Sequence, residues 1–377
     1  MSNVVIIGNA ALSIVNFRGK LLEDMVCNGH QVVAFAPDPP GKASEQLAQL
    51  GVKYRQIPMQ RVGMNPFRDL QSLKALVVSL CQEKPDVVLA YTIKPVIYGS
   101  IGATIARVPL ISSMITGLGY AFSANSAKQV LVNKLVKVFY SVSLRANKVL
   151  FFQNPDDMRE FQTMRLLKSG HRPVLINGSG VDLEYFSVRP LPQRLCFLLV
   201  ARLIAEKGIR EYAAAAAIIR ARYPEVRFVL VGMFDKNPMA IRSDEVVTWQ
   251  KSGVLEFLGR LEDVRPAIAE SSVFVLPSFY REGTPRSVLE AMAMGRAIIT
   301  TNMPGCRETV SQGVNGYLVP THDPEALATA MERFIRNSDL VVEMGRASRK
   351  KAEEKFDVRV VNNLILSNLG LAHEAVS

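Results

Sequence analysis

The amino-acid sequence predicts an α/β protein made of two doubly wound, Rossmann-like domains that face each other across a cleft. Its 377 residues exceed what one ordinary core organises, and at about 150 residues per domain they suggest two. Both halves alternate short β-branched runs with amphipathic helical stretches, the pattern of a parallel sheet covered by helices on both faces. Between the halves, residues 176–194 (INGSGVDLEYFSVRPLPQR) gather Gly, Ser and Pro, the composition of a boundary.

In the first half, strands are read at 4–8 (VVIIG), 31–36 (QVVAFA), 52–58 (VKYRQIP), 86–91 (DVVLAY), 109–115 (PLISSMI) and 148–153 (KVLFFQ). The second half repeats the scheme at 195–201 (LCFLLVA), 227–232 (RFVLVG), 254–259 (VLEFLG), 273–278 (VFVLPS), 297–301 (AIITT) and 316–320 (GYLVP). The domains are therefore set at 1–180 and 181–360, with 361–377 as a C-terminal tail or helix. A cleft between two such domains brings together the carboxyl ends of both sheets. Ligands of open α/β sheets bind there, so function is expected on those loops.

Composition narrows the classes. Apolar residues make up 49% and charged residues 21%, with mean hydropathy +0.14, which fits a packed globular protein and not a disordered one. The N-terminus opens on a strand pattern without a basic segment and a long apolar core, so no signal peptide and a cytoplasmic location are expected. Cys27, Cys81, Cys196 and Cys306 are scattered, which suggests isolated buried thiols and neither a zinc site nor a disulfide framework. Residues 108–127 are uncharged, but Pro109, four serines, Asn125 and two glycines argue against a membrane-spanning helix. Charge is uneven. Residues 1–190 hold 21 Lys and Arg against 12 Asp and Glu, a net of +9, and the remainder 24 against 22, a net of +2. No Asp or Glu occurs between Val87 and Pro155, whereas Lys94, Arg107, Lys128, Lys134, Lys137, Arg145 and Lys148 lie there. Such a face attracts anions: nucleic acid, anionic headgroups or a polyanionic substrate.

Two segments carry the chemistry. In residues 278–301 (SFYREGTPRSVLEAMAMGRAIITT) a strand ends in a Gly/Pro loop, Gly283, Thr284 and Pro285, which feeds a helix; Glu282 stands before the loop and Glu290 on the helix. Backbone N–H groups at a helix start suit a diphosphate, and an acid one or two turns further on suits ribose hydroxyls. In residues 200–209 (VARLIAEKGI), Arg202 and Lys207 follow a strand. Two cations there would neutralise a leaving diphosphate as its charge develops in the transition state. No D-x-D pair occurs, and His30, His171, His322 and His373 do not cluster, so no metal and no other cofactor is expected.

The E-x7-E spacing of Glu282 and Glu290, the R-x4-K spacing of Arg202 and Lys207, and residues 302–308 (NMPGCRE) together resemble glycosyltransferase family 4. INGSGVDLEYF at 176–186 looks like the same family at this point. The resemblance implies the GT-B fold, retention of anomeric configuration and independence of divalent metal. It implies that Glu290 binds the donor ribose, Arg202 and Lys207 the diphosphate, Glu282 the hydroxyls of the transferred sugar, and the backbone after Gly259, at Arg260 and Leu261, the nucleobase. Residues 13–19 (SIVNFRG), 90–103 (AYTIKPVIYGSIGA) and 116–120 (TGLGY) resemble the subgroup that extends undecaprenyl-diphosphate-linked saccharides, as in O-antigen and other surface polysaccharides. That subgroup implies a UDP-sugar donor, UDP-GalNAc or UDP-GlcNAc being the expected ones, and a polyprenyl-diphosphate saccharide acceptor. The acceptor would be bound by an N-terminal, membrane-facing domain through Asn16, Arg18, Lys94, Thr116, Gly117 and Gly119. Many members carry a histidine in the loop after the fifth strand; MITGLG has none, so Thr116 or the backbone near Gly117 would serve instead. Residues 126–145 (SAKQVLVNKLVKVFYSVSLR) read as an amphipathic helix, either core-facing with a solvated lysine side or lying on the anionic inner face of the cell membrane.

Three rivals are weighed. A nucleotide-sugar-binding protein without turnover fits poorly with two glutamates and two cations at reacting positions. A nucleic-acid-binding protein accounts for the pI near 9.5 but lacks an aromatic and basic platform. GLGYAF at 117–122 imitates a dinucleotide fingerprint, yet Phe122 stands where the third glycine belongs.

Overall fold

A computed structural model of the chain describes residues 1–60, 65–119, 127–235 and 239–373. It contains two compact units: residues 1–179 with the segment from Arg359 onward, and Gly180–Val358.

The first unit alternates β1 (Asn3–Ile7), α1 (Ala11–Cys27), β2 (Gln31–Ala36), α2 (Lys42–Gln49), β3 (Lys53–Gln56), α3 (Pro66–Glu83), β4 (Val87–Tyr91), α4 (Ile93–Ile105), β5 (Leu110–Ile115), α5 (Ala127–Ser143), β6 (Val149–Phe152), α6 (Pro155–Thr163) and β7 (Arg172–Leu175). Its strands form one sheet in the order β3-β2-β1-β4-β5-β6-β7, paired in parallel throughout. Both faces are covered because successive β1 side chains point opposite ways: Val5 and Ile7 enter one core cluster, Val4 and Ile6 the other.

The second unit contains β8 (Cys196–Val200), α7 (Ile209–Arg220), β9 (Arg227–Val231), α8 (Ser243–Lys251), β10 (Glu256–Phe257), α9 (Arg265–Ala269), β11 (Val273–Leu276), α10 (Arg286–Ala293), β12 (Ala297–Thr301), β13 (Gly316–Val319), α11 (Pro324–Arg336) and α12 (Asp339–Lys351). Its parallel sheet runs β10-β9-β8-β11-β12-β13. Phe197 and Leu199 of β8 face one core cluster, Cys196 and Leu198 the other. In each sheet the strand order reverses beside the first strand, between β1 and β4 and between β8 and β11. This is the doubly wound α/β fold read from the sequence.

Several expectations need correction. β7 has no apolar run: its RPVL sequence includes Pro173, which an edge strand accepts because one side needs no ladder hydrogen bond. The run at 254–259 yields only the two paired residues of β10. The C-terminal segment forms α13 (Val358–Leu369), and Val361, Ile365, Leu366 and Leu369 pack into the core of the first unit. Hydrogen bonds from Asn362 to Asp24 and from Asn28 to the Leu371 carbonyl tie it there. Only Cys196 and Cys306 are buried; Cys27 and Cys81 lie on exposed faces of α1 and α3. In α5, Val136 and Tyr140 are buried, but Leu135, Val138, Phe139 and Val142 are exposed on the same side as Lys134. That helix is therefore apolar on two sides, which neither reading of it anticipated. Its first expected residue Ser126, with Tyr120, Ala121 and Phe122 of the glycine-containing segments, lies outside the described residues, as does the Lys128 side chain.

Candidate active site

The second sheet places the two sequence motifs on either side of its switch point. Arg202 and Lys207 follow β8, Glu282 follows β11, and β8 and β11 are neighbours. The two connections are joined by backbone. The Glu206 carbonyl accepts from the N–H groups of Phe279 at 2.9 Å and Tyr280 at 3.1 Å. Gly208, with φ +73°, lets the chains approach so closely that a β-carbon there would stand 2.1 Å from the Pro277 carbonyl oxygen. Lys207 thereby meets Glu282 in a hydrogen-bonded ion pair. Their side chains are only 13% and 11% exposed, so the pair is shielded from the screening that weakens surface pairs. The Ser278 hydroxyl also reaches Glu282 Oε1, at 3.1 Å, and the Lys207 ammonium lies 5.5 Å from the centre of the Tyr280 ring.

The glycine loop leads from this pair into α10. Gly283, Thr284 and Pro285 are buried, and α10 starts at Arg286 without a side-chain cap, leaving the N–H groups of its first turn to loop or ligand. A second loop braces the first: Gly305, with φ +79°, packs so tightly that a β-carbon would fall 2.0 Å from the Gly283 carbonyl oxygen. Cys306 is buried beside it, its thiol pushed up to about 12 by desolvation and the nearby Glu282 charge. Glu290 lies one turn into α10 and accepts from Arg286 at 2.9 Å, an i,i+4 pair. Burial raises the Glu290 carboxyl above its ordinary 4.5, and Arg286 opposes that rise.

Each of the other sequence candidates has its own surroundings. Arg202 is half-exposed and pairs with Asp235 at 3.1 Å. Gly259 adopts φ +68° and offers its carbonyl to the Gly232 N–H at 2.9 Å, so the Arg260–Leu261 backbone leaves the sheet just beyond the end of β9. In the first unit, Arg18 is not a surface cation: it is 3% exposed, its guanidinium 5.3 Å from the Tyr91 ring centre. Lys94 pairs with the buried Asp69 at 2.8 Å, so an acid from outside the acid-free stretch offsets its charge. Asn16 is exposed on α1; Thr116 is half-buried after β5, with Gly117 and Gly119 in left-handed conformations.

Sequence reading missed Ser278, Arg286, Asp69 and Thr92. The i,i+4 spacing of Arg286 and Glu290 was a usable signal. Thr92, between β4 and α4, carries φ +68° and ψ 157°, a region costly for a branched side chain, and its buried Oγ1 has no hydrogen-bond partner among the described residues. No local pattern announces it.

Comparison with known proteins gives the family. Residues 16–178 match the family described as glycosyl transferase 4-like domain, and residues 194–337 match glycosyl transferases group 1. The chain is 24% identical to the N,N'-diacetylbacillosaminyl-diphospho-undecaprenol alpha-1,3-N-acetylgalactosaminyltransferase of Campylobacter jejuni, over 94% of this chain and 95% of that one. It is 28% identical to the UDP-Gal:alpha-D-GlcNAc-diphosphoundecaprenol alpha-1,3-galactosyltransferase of Escherichia coli, over 77% and 76%. Among solved structures, Anabaena HepE in complex with UDP-glucose superposes with TM-score 0.78 at 17% identity, covering 99% of this chain and 100% of that one. Matching family sequence in both halves, and two sheets of the same doubly wound order, make the chain a member of glycosyltransferase family 4 with the GT-B fold.

Proposed function

We propose that this glycosyltransferase moves a hexose or N-acetylhexosamine from a UDP-sugar to a polyprenyl-diphosphate-linked saccharide, with retention and without a metal. UDP-GalNAc and UDP-GlcNAc are the first donors to try. The observation that carries the reading is the shielded Lys207–Glu282 pair at the switch point of the second sheet, one loop away from the uncapped start of α10. Glu282 can accept from sugar hydroxyls, Lys207 and Arg202 can meet the diphosphate, and Glu290 can accept from the ribose. The printed activities of the Campylobacter jejuni and Escherichia coli relatives support the acceptor class, and the UDP-glucose bound to HepE supports the donor class.

In this mechanism the bond from C1 to the diphosphate breaks and the acceptor oxygen bonds C1 on the same face. The leaving phosphate oxygen takes the acceptor hydroxyl's proton. Lys207 and Arg202 act where charge grows on that oxygen, so the cationic side chains do the work a divalent ion does elsewhere. Arg18 and Lys94 are the candidates for the acceptor diphosphate. The exposed Leu135, Val138, Phe139 and Val142 beside Lys134 support peripheral contact with an anionic membrane surface. No helix among the described residues is long and apolar enough to cross a membrane.

The test is mass spectrometry of a synthetic polyprenyl-diphosphate sugar incubated with the protein and a panel of UDP-sugars in EDTA. One added hexose or N-acetylhexosamine, with the product α-linked as in the donor, is expected. An absolute need for added metal, or a sugar covalently held by the protein during turnover, overturns the mechanism. UDP binding without any product redirects the search to soluble acceptors.

A further inference from the structure

Ser278 is completely buried at the exit of β11, and its hydroxyl has more neighbours than protons. Its Oγ lies 3.1 Å from Glu282 Oε1 and 3.1 Å from the Glu206 carbonyl oxygen, and it accepts from the Tyr280 N–H at 3.2 Å. A serine hydroxyl donates one hydrogen bond. The Glu206 carbonyl already accepts from the Phe279 N–H and shares the Tyr280 N–H with Ser278 Oγ. A carboxylate is a stronger acceptor than a carbonyl, so the hydroxyl proton goes to Glu282. Glu206 is also the chain neighbour of Lys207, so one backbone carbonyl fixes the spacing between the lysine, the serine and the carboxylate.

Lys207 and Ser278 converge on the same oxygen of Glu282. In the reading proposed above, on which this inference rests, an incoming donor brings a diphosphate that competes for the ammonium. A shielded carboxylate that gives up its cation is held more firmly by a neutral donor that stays on the same oxygen. We propose that Ser278 is a positioning residue: its hydroxyl holds Glu282 in place for the hydroxyls of the transferred sugar once Lys207 swings to the diphosphate. The role belongs to the reaction and not to folding alone, since a change of partner by Lys207 leaves the Ser278 bond to Glu282 intact.

The experiment measures UDP affinity by calorimetry and single-turnover transfer from UDP-GalNAc and UDP-GlcNAc, in the full-length protein. Ser278→Ala is expected to leave the UDP dissociation constant within about twofold while slowing transfer about tenfold. Ser278→Thr, which keeps a hydroxyl, should recover most of the rate. In a Glu282→Gln background Ser278→Ala should cost less than about twofold, because the group it positions is already altered. If the alanine variant does not fold, as judged by its melting curve, Ser278→Cys keeps the size with a weak donor and takes its place. An equal loss of UDP affinity, or the same tenfold loss in the Glu282→Gln background, overturns the inference and leaves the donor reading standing. A wild-type protein that binds no UDP or UDP-sugar fails the donor reading itself, and the inference falls with it.

Discussion

At the scale of single residues, charge and close approach decide what the second unit can do. In the proposed donor site Glu290 would have to be ionised to accept from both ribose hydroxyls, yet burial favours its protonated form. A raised folded pKa means that the donor-free fold holds the proton more tightly than the unfolded chain does. Its contribution to stability is present below the unfolded pKa and is lost as pH rises through the folded one. Donor binding as proposed carries the opposite sign, because it would use the carboxylate. UDP affinity is therefore expected to fall as pH is lowered, starting above the ordinary carboxyl value of 4.5, and Glu290→Gln should flatten that dependence at lower affinity. Calorimetric titration with UDP across pH checks this, and a flat profile in the wild type defeats it. Gly208 is a geometric counterpart. Its left-handed φ and the 2.1 Å approach to the Pro277 carbonyl leave no room for a β-carbon, so Gly208→Ala should cost about 2–4 kcal/mol and displace both Lys207 and Ser278. Chemical denaturation measures the first effect and transfer rate the second. The charged residues here were legible because E-x7-E and R-x4-K put them at fixed distances from strand ends. Ser278 and Thr92 were not, because a hydroxyl matters through what the fold packs against it.

At the scale of elements, the sequence pattern was readable wherever burial imposed it. Strands covered on both faces must be continuous apolar runs, and every such run read in the sequence forms a strand, from Val4–Ile7 in β1 to the FVL of β11. β7 escaped because an edge strand buries little, and residues 172, 173 and 175 are exposed. The destination of α13 was equally hidden. Its apolar stripe of Val361, Ile365 and Leu369 shows that one face is buried, but an i,i+4 pattern does not name the partner. Its packing into a core cluster of the first unit, with hydrogen bonds to Asp24 of α1 and Arg172 of β7, makes a testable claim about which unit it supports. Ile365→Ala is expected to cost about 2–4 kcal/mol and to lower the stability of the first unit. Hydrogen exchange should show faster opening in β1 and β2 with β8 to β13 unchanged. Equal loosening of both sheets would mean that α13 serves the second unit too. Arg296 performs a comparable task inside the second unit. Completely buried, its guanidinium donates to the carbonyls of Arg189, Pro190, Ile268 and Ala269, which fastens the connecting segment to α9, and desolvation pushes its pKa down to about 10.

At the scale of the molecule, charge is partitioned along the line that divides the units. The first unit, including its returning C-terminal segment, holds 21 Lys and Arg against 11 Asp and Glu, a net of +10, whereas the second holds 24 against 23, a net of +1. A net charge of this size on one unit raises the local concentration of anions around it, and exposed apolar side chains add a term that salt does not screen. Those two terms predict different responses to ionic strength. Each Lys or Arg near an anionic surface contributes about 1 kcal/mol, and that contribution decays over roughly 8 Å at physiological salt. Burying Leu135, Val138, Phe139 and Val142 depends on apolar area alone. The protein is therefore expected to float with vesicles that contain anionic phospholipid and to be released in part, not wholly, by high salt. Lys134→Glu should make binding weaker and less sensitive to salt. Val138→Asp with Phe139→Ser should leave a residual binding that salt abolishes completely. Both variants should keep wild-type UDP affinity, since α5 lies in the first unit and the proposed donor residues in the second. Vesicle flotation across a salt series reads all three proteins. Equal loss of binding by every protein at the same salt concentration would show that charge alone carries the contact, and that the exposed face of α5 takes no part in it.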